Sequence, residues 1–214
     1  MEKDYYGALY GFAVGGALGV PVEFYKREHL IKEPICDMTD NQGRRTTKGY
    51  WSDDTAMTLC SIQAILDSKE ISNETHKLEM DNFVKWMDTG YLSADNLCFG
   101  IGQTVFRSLL NYKNSKTFND YLVSNYKDSE KNGGNGALMR ILPLILYFSK
   151  NKLIKYKEYD MPIQIARTLD YIEFDVQADE LAEDSSYFIK VASPNGLVFE
   201  NIFKEIMKVE KFDE

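Results

Sequence analysis

The chain has only two histidines, His29 and His76, and three cysteines, Cys36, Cys60 and Cys98, in 214 residues. The histidines lie far apart, and the cysteines show neither metal-type nor redox-type spacing. A histidine-based zinc site, or a Cys-His or Ser-His-Asp device, is therefore poorly supported. The cysteines read as reduced thiols, which places the chain in a cytoplasm. Basic residues are outnumbered, 25 Lys and Arg against 33 Asp and Glu, for a net charge of −8. That balance argues against a nucleic-acid partner and against anchoring on anionic membranes. No apolar run approaches the roughly 18 residues of a membrane-spanning helix. Glu2 and Asp4 make the N-terminus unlike a signal peptide. Abundant Lys, Asn, Ile and Tyr point to an AT-rich genome, bacterial or phage. Apolar content of 44% with 27% charged residues is ordinary for a globular chain, and 1–214 reads as one domain.

The periodicity is that of an all-α protein. Residues 4–20 form a segment rich in glycine and alanine, closed by Gly19-Val20-Pro21. Its glycines weaken a helix by about 1 kcal/mol each and suggest that another backbone packs close against it. A polar stretch from Lys26 to Lys48, with a turn at Asp40-Asn41-Gln42-Gly43, reads as a binding loop or a lid. Apolar residues at helical spacing then predict helices over about 53–67, 74–88 and 101–112. The glycine loop Asn132-Gly133-Gly134-Asn135-Gly136 precedes a buried helix from Ala137 to Phe148, which Pro143 is expected to kink. Acidic amphipathic helices are predicted over about 174–191 and 197–210.

Four segments could carry chemistry. In Gly49-Tyr50-Trp51-Ser52-Asp53-Asp54-Thr55-Ala56-Met57-Thr58-Leu59, two carboxylates follow a serine at a helix start. Ser52 is a good N-cap type and the acids suit the helix dipole, which explains the segment without any ligand. The same atoms are hard oxygen donors suited to Mg²⁺, Mn²⁺ or Ca²⁺. Glu23, in the turn after Gly15-Gly16-Ala17-Leu18-Gly19-Val20-Pro21-Val22, is an exposed loop acid or a general acid or base. The paired glycines of Phe99-Gly100-Ile101-Gly102-Gln103-Thr104 form a packing turn, or let amides approach a phosphate or ribose. Asn132-Gly133-Gly134-Asn135-Gly136-Ala137-Leu138-Met139-Arg140 is either a plain helix start or a cradle for a diphosphate.

Taken in order, these segments resemble the ADP-ribosylglycohydrolase family, whose patterns read GxxxGxAxGDALGxPxEF, GxWSDDTAMTL, FDIGxTT and GNGxxMRxxPL. The resemblance implies an all-α orthogonal multi-helix bundle with a binuclear Mg²⁺ or Mn²⁺ centre at the base of an ADP-ribose cleft. It implies that Ser52, Asp53 and Asp54 are metal ligands and that Glu23 assists catalysis. It further implies that Gly100, Gly102, Gly133, Gly134, Asn135, Gly136, Met139 and Arg140 face the ligand.

The departures are specific. The family's GDALG aspartate is Gly16, and its FDIG aspartate is Gly100, a change also found in active branches. The region Ala166-Arg167-Thr168-Leu169-Asp170-Tyr171-Ile172-Glu173 lacks the histidine usual after the glycine loop. No late GDTDT segment occurs, and Asp175, Asp179, Glu180, Glu183 and Asp184 read as a solvated helix face. The expectation is a C-terminally shortened family member that binds ADP-ribose or an ADP-ribosylated nucleotide signal with little or no hydrolysis, as a sequestering protein would. The alternative is an active metal-dependent hydrolase. Any Mg or Mn is expected to be weakly held or absent, and self-association is left open.

Overall fold

The computed structural model describes residues 2–41, 46–69, 71–127 and 135–150. The fold is all-α, and among the described residues the sole β-type pairing is one bridge between Asn41 and Thr46. Helix α1 runs Glu2–Gly19, and a 3₁₀ turn Val20–Val22 follows with Pro21 in its first positions. Proline suits that place because its missing N–H would have no intrahelical partner there.

A short helix α2, Arg27–Lys32, lies inside the stretch expected to be loop. It buries none of its residues, so the sequence shows no apolar stripe to betray it.

Helix α3, Asp53–Ser68, is the most buried of the described helices, enclosed all round from Thr55 to Ile62. Helix α4, Asn73–Thr89, packs along it, with Met80, Phe83 and Trp86 against Met57, Cys60 and Ile62. The two helices are also joined by Asn82, whose Nδ2 donates to the Cys60 carbonyl at 3.2 Å. A capping box starts α4: Ser72 Oγ accepts from the Thr75 N–H at 3.5 Å, and Thr75 Oγ1 accepts from the Ser72 N–H at 3.0 Å. Gly90 ends the helix in the left-handed region (φ +67°), the usual stop for a helix.

The loop from Gly90 to Gly102 folds back on itself. A side chain at Gly90 would strike the backbone of Asn96 and Leu97, and Leu92, Ser93 and Ala94 are buried. Trp51, just before α3, donates its indole N–H to the Leu92 carbonyl at 3.1 Å. Helix α5, Gln103–Asn114, and helix α6, Phe118–Lys127, complete the α4 side. The sequence reading missed α6, although Thr117 and Asp120 form its reciprocal cap with two 3.1 Å bonds, a Thr-x-x-Asp signature legible in sequence.

The expected 137–148 helix is instead two elements. A 3₁₀ helix covers Asn135–Arg140, and helix α7 covers Leu142–Lys150. Pro143 sits in the first turn of α7 and is not a mid-helix kink, since a new helix start leaves its absent N–H and fixed φ unopposed. The expected close backbone approach is not found at Gly15, Gly16 or Gly19: among the described residues nothing lies within 4 Å of a Cβ on Gly15 or Gly19, and a Cβ on Gly16 would meet the side-chain Thr55 Oγ1, at 3.5 Å. The helices expected over 174–191 and 197–210 lie outside the described residues.

Candidate functional site

The start of α3 carries the acidic pair. Ser52 holds the N-cap position by its backbone (φ −95°, ψ −163°), and its carbonyl accepts the Ala56 N–H at 3.1 Å. Its side chain does not cap the helix as the sequence suggested. Its Oγ lies 3.4 Å from Asp54 Oδ2, so the hydroxyl serves a carboxylate in place of a backbone amide. Thr55 Oγ1 is buried and has no hydrogen-bond partner among the described residues, an arrangement that is costly unless something polar satisfies it. The sequence reading passed over Thr55 as a donor, although a second hydroxyl directly after two acids was a signal for it.

Asp53 and Asp54 share an environment hostile to negative charge. Burial, the Asp54 charge and the Glu23 charge push the Asp53 carboxyl up to about 7, although its own backbone N–H and the Ser52 hydroxyl pull it down. Asp54 is also pushed up, by burial and then by Glu23, with Ser52 opposing. Glu23 itself is exposed in the turn after α1, and its charge reaches both acids. That turn is held from behind by Asn41, whose side-chain amide donates to the Pro21 carbonyl.

Gly16 and Gly100, the two positions singled out by the motif comparison, both face this helix start. Gly16 lies beside Thr55 Oγ1. Gly100 has φ +81°, and a Cβ there would fall 3.1 Å from the Asp53 carboxyl carbon. Cys98, two residues earlier, is half-buried near Asp53, and burial with the Asp53 charge pushes its thiol up to about 11. The segment 98–100 is thus one wall of the acidic patch.

The same segment leads to a second feature. Gly102 caps α5 in open space, and Thr104 and Val105 then line a cavity of about 140 Å³. Gly136, Ala137 and Arg140 of the 3₁₀ helix form part of its wall, and residues 52–54 do not. Val105 touches that helix closely, since a Cβ on Gly136 would fall 2.6 Å from Val105 Cγ2. The start of α5 therefore joins the acidic patch to the end of the glycine loop.

Arg140 was expected to face a diphosphate. Its guanidinium lies over the Phe83 ring, 4.7 Å from the centroid, within the field of Glu79. Met139 packs against the core and its carbonyl lies 3.5 Å from Thr58 Oγ1. Asn135 opens the 3₁₀ helix, and Gly133 and Gly134 lie outside the described residues.

Among the described residues no three His, Cys, Asp or Glu side chains converge as a metal cage. Two carboxylates and the hydroxyls of Ser52 and Thr55 fit one hard cation completed by water. They do not supply the oxygens and charge that two divalent ions require.

The ADP-ribosylglycohydrolase family model matches residues 1–166, and the chain belongs to that family. It is 29% identical over 146 residues to the ADP-ribosylarginine hydrolase Tri1 of Serratia proteamaculans, covering 68% of this chain and 37% of that protein. It is 30% identical over 147 residues to the ADP-ribosyl-(dinitrogen reductase) glycohydrolase of Rhodospirillum rubrum, covering 65% of this chain and 43% of the relative. The chain thus spans less than half the length of these curated relatives.

Proposed function

We propose that the chain binds ADP-ribose, free or attached to another group, where the start of α5 joins the α3 acids to the glycine loop, and that it hydrolyses the glycosidic bond slowly or not at all. The observation that carries this reading is the placement of Gly16 against the acidic helix start, beside Thr55 Oγ1, where the family pattern has an acid; glycine at the Gly100 position also occurs in active branches and does not by itself argue against turnover. In this reading the backbone amides of residues 133–136 take the diphosphate, and Gly102 lets α5 approach the ribose. Ser52, Asp53, Asp54 and Thr55 would hold a single Mg²⁺ or Mn²⁺, which when bound supplies Lewis-acid polarisation of a ribose oxygen. Glu23 stands at the rim, where it could take a proton from water.

The loss of one interaction worth about 3–4 kcal/mol in a transition state corresponds to roughly 10² to 10³ in rate. Calorimetry with ADP-ribose, with and without Mn²⁺, followed by mass spectrometry of the recovered ligand and of an ADP-ribosyl-arginine substrate, tests the reading. Binding with substrate recovered intact supports it. Turnover at ordinary enzyme rates that disappears in Asp53→Ala/Asp54→Ala establishes the alternative, an active metal-dependent ADP-ribosylglycohydrolase. The elevated acids and the unpartnered Thr55 hydroxyl favour that alternative to the extent that they invite a cation.

A further inference from the structure

We propose that the cavity between α4, α5, α6 and the 3₁₀ helix Asn135–Arg140 is a second ligand site, one that takes a small organic carboxylate with an apolar body. Residues 52–54 do not line it, and its own walls argue for it independently of the reading above.

The cavity has a volume of about 140 Å³, close to the roughly 150 Å³ of an engineered cavity that takes benzene. Met80 and Phe83 of α4 and Val105 and Leu109 of α5 give it apolar walls. Residues three or four apart share one face of a helix, so each helix presents a pair of side chains to the same space. A body of about six carbon atoms fits between them.

Two polar groups interrupt these walls, and their donors are unused. Arg140 is half-buried, and among the described residues its guanidinium makes no hydrogen bond and no ion pair. It stacks on Phe83, 4.7 Å from the ring centroid. A stacked guanidinium keeps its N–H groups in its own plane, as a fork that matches both oxygens of a carboxylate. Thr104, in the first turn of α5, also makes no side-chain hydrogen bond among the described residues. The other hydroxyls on the cavity wall are matched, since Ser108 Oγ and Tyr121 Oη lie 2.8 Å apart. Glu79, whose charge reaches Arg140, is engaged elsewhere: Oε1 accepts from Ser61 Oγ at 2.5 Å, and Oε2 lies 3.7 Å from His76 Nδ1. Arg140 is the one charged residue among the described residues that line the cavity. A single guanidinium with an acid in range compensates one negative charge and not two, which favours a carboxylate over a phosphate dianion. The apolar walls favour carbon behind it.

The probe is benzoate, with benzamide as its neutral counterpart and inorganic phosphate as an anion without a carbon body. Each is titrated into the full chain and followed by amide chemical shifts. Benzoate is expected to bind with a dissociation constant of about 1 mM or below. It should shift the amides of residues 104–109 and 136–140 and leave those of Asp53 and Asp54 in place. Benzamide should bind about tenfold more weakly, for want of the charge. Thr104→Val keeps the shape of the side chain and removes its hydroxyl, and should weaken benzoate about tenfold. Arg140→Gln should weaken it about a hundredfold, through the loss of two charged bonds. Should Arg140→Gln fail to fold, Thr104→Val decides, and wild-type affinity in that variant overturns the proposal. Benzoate that does not bind, benzamide that binds equally well, or phosphate that shifts the same amides at lower concentration also overturns it. Saturating ADP-ribose should leave benzoate affinity unchanged, and displacement overturns the claim of a second site. A chain that ignores ADP-ribose defeats the binding reading alone, since the benzoate titration is made without it.

Discussion

Gly100 stands directly against Asp53, in a backbone conformation (φ +81°) that leaves no room for a Cβ beside the Asp53 carboxyl. A side chain introduced here would have to displace the Asp53 carboxylate as well as adopt the left-handed φ. Gly100→Ala is expected to destabilise the chain by about 1–3 kcal/mol through the left-handed φ and the clash together. Thermal unfolding measures it, and a variant as stable as wild type would show that the loop yields freely.

Gly16 offers the opposite case. It is helical, and its nearest foreign atom is Thr55 Oγ1 at 3.5 Å, an ordinary contact. Gly16→Asp should therefore fold and place a third carboxylate at the α3 start. Mn²⁺ affinity, read by paramagnetic resonance, is expected to rise by about tenfold or more as charge and ligand number increase. Unchanged affinity would remove the α3 start from consideration as a cation site.

Asp53 predicts a pH dependence of stability in the presence of a chelator. Its folded value, about 7, lies above its ordinary value of 3.8. Between these the folded chain binds the proton and the unfolded chain does not, so this group's contribution to stability falls as pH rises toward 7 and is lost above it. Asp53→Asn removes the dependence. The variant should gain on wild type progressively from pH 4 to 7 and keep a constant lead above, as measured by chemical denaturation. A lead that shrinks with rising pH would contradict the raised value.

Gly136 and Val105 form a compensating pair. A Cβ on Gly136 would fall 2.6 Å from Val105 Cγ2, so Gly136→Ala should cost about 1–2 kcal/mol by overpacking. Val105→Ala/Gly136→Ala should recover most of that loss, which unfolding of the two variants would show. Equal stability of both variants would mean that the 3₁₀ helix shifts without resistance.

The long amphipathic helices were legible because burial on one face writes a period into the sequence, as Met80, Phe83 and Trp86 do in α4. Helix α2 was not legible because it buries nothing, and α6 was overlooked because its signal lay in the Thr117–Asp120 cap. Pro143 was misplaced for a related reason. An apolar run does not say where one helix stops and the next begins, and a proline inside it is compatible with a kink or with a fresh start. The acidic pair and its two glycine neighbours were visible as motifs. That Gly16 and Gly100 both face the α3 start was not, since one depends on the angle between α1 and α3 and the other on a loop folding back. Arg140 shows the same limit: a guanidinium after a glycine loop suggests an anion, and its stacking on Phe83 of α4 depends on packing that no local motif records.

The loop between α4 and α5 has a kinetic consequence. Gly90 packs on the backbone of Asn96 and Leu97, Trp51 is pinned to Leu92, and Leu92, Ser93 and Ala94 are buried. The base of the loop that carries Cys98 and Gly100 toward the acids is thus anchored in the core at residues 92–94. An anchored loop has less ordering entropy to surrender on association than a free one. Encounter at this wall should proceed as a single step whose observed rate climbs linearly with ligand concentration, without the saturation that a slow closure of the loop would impose.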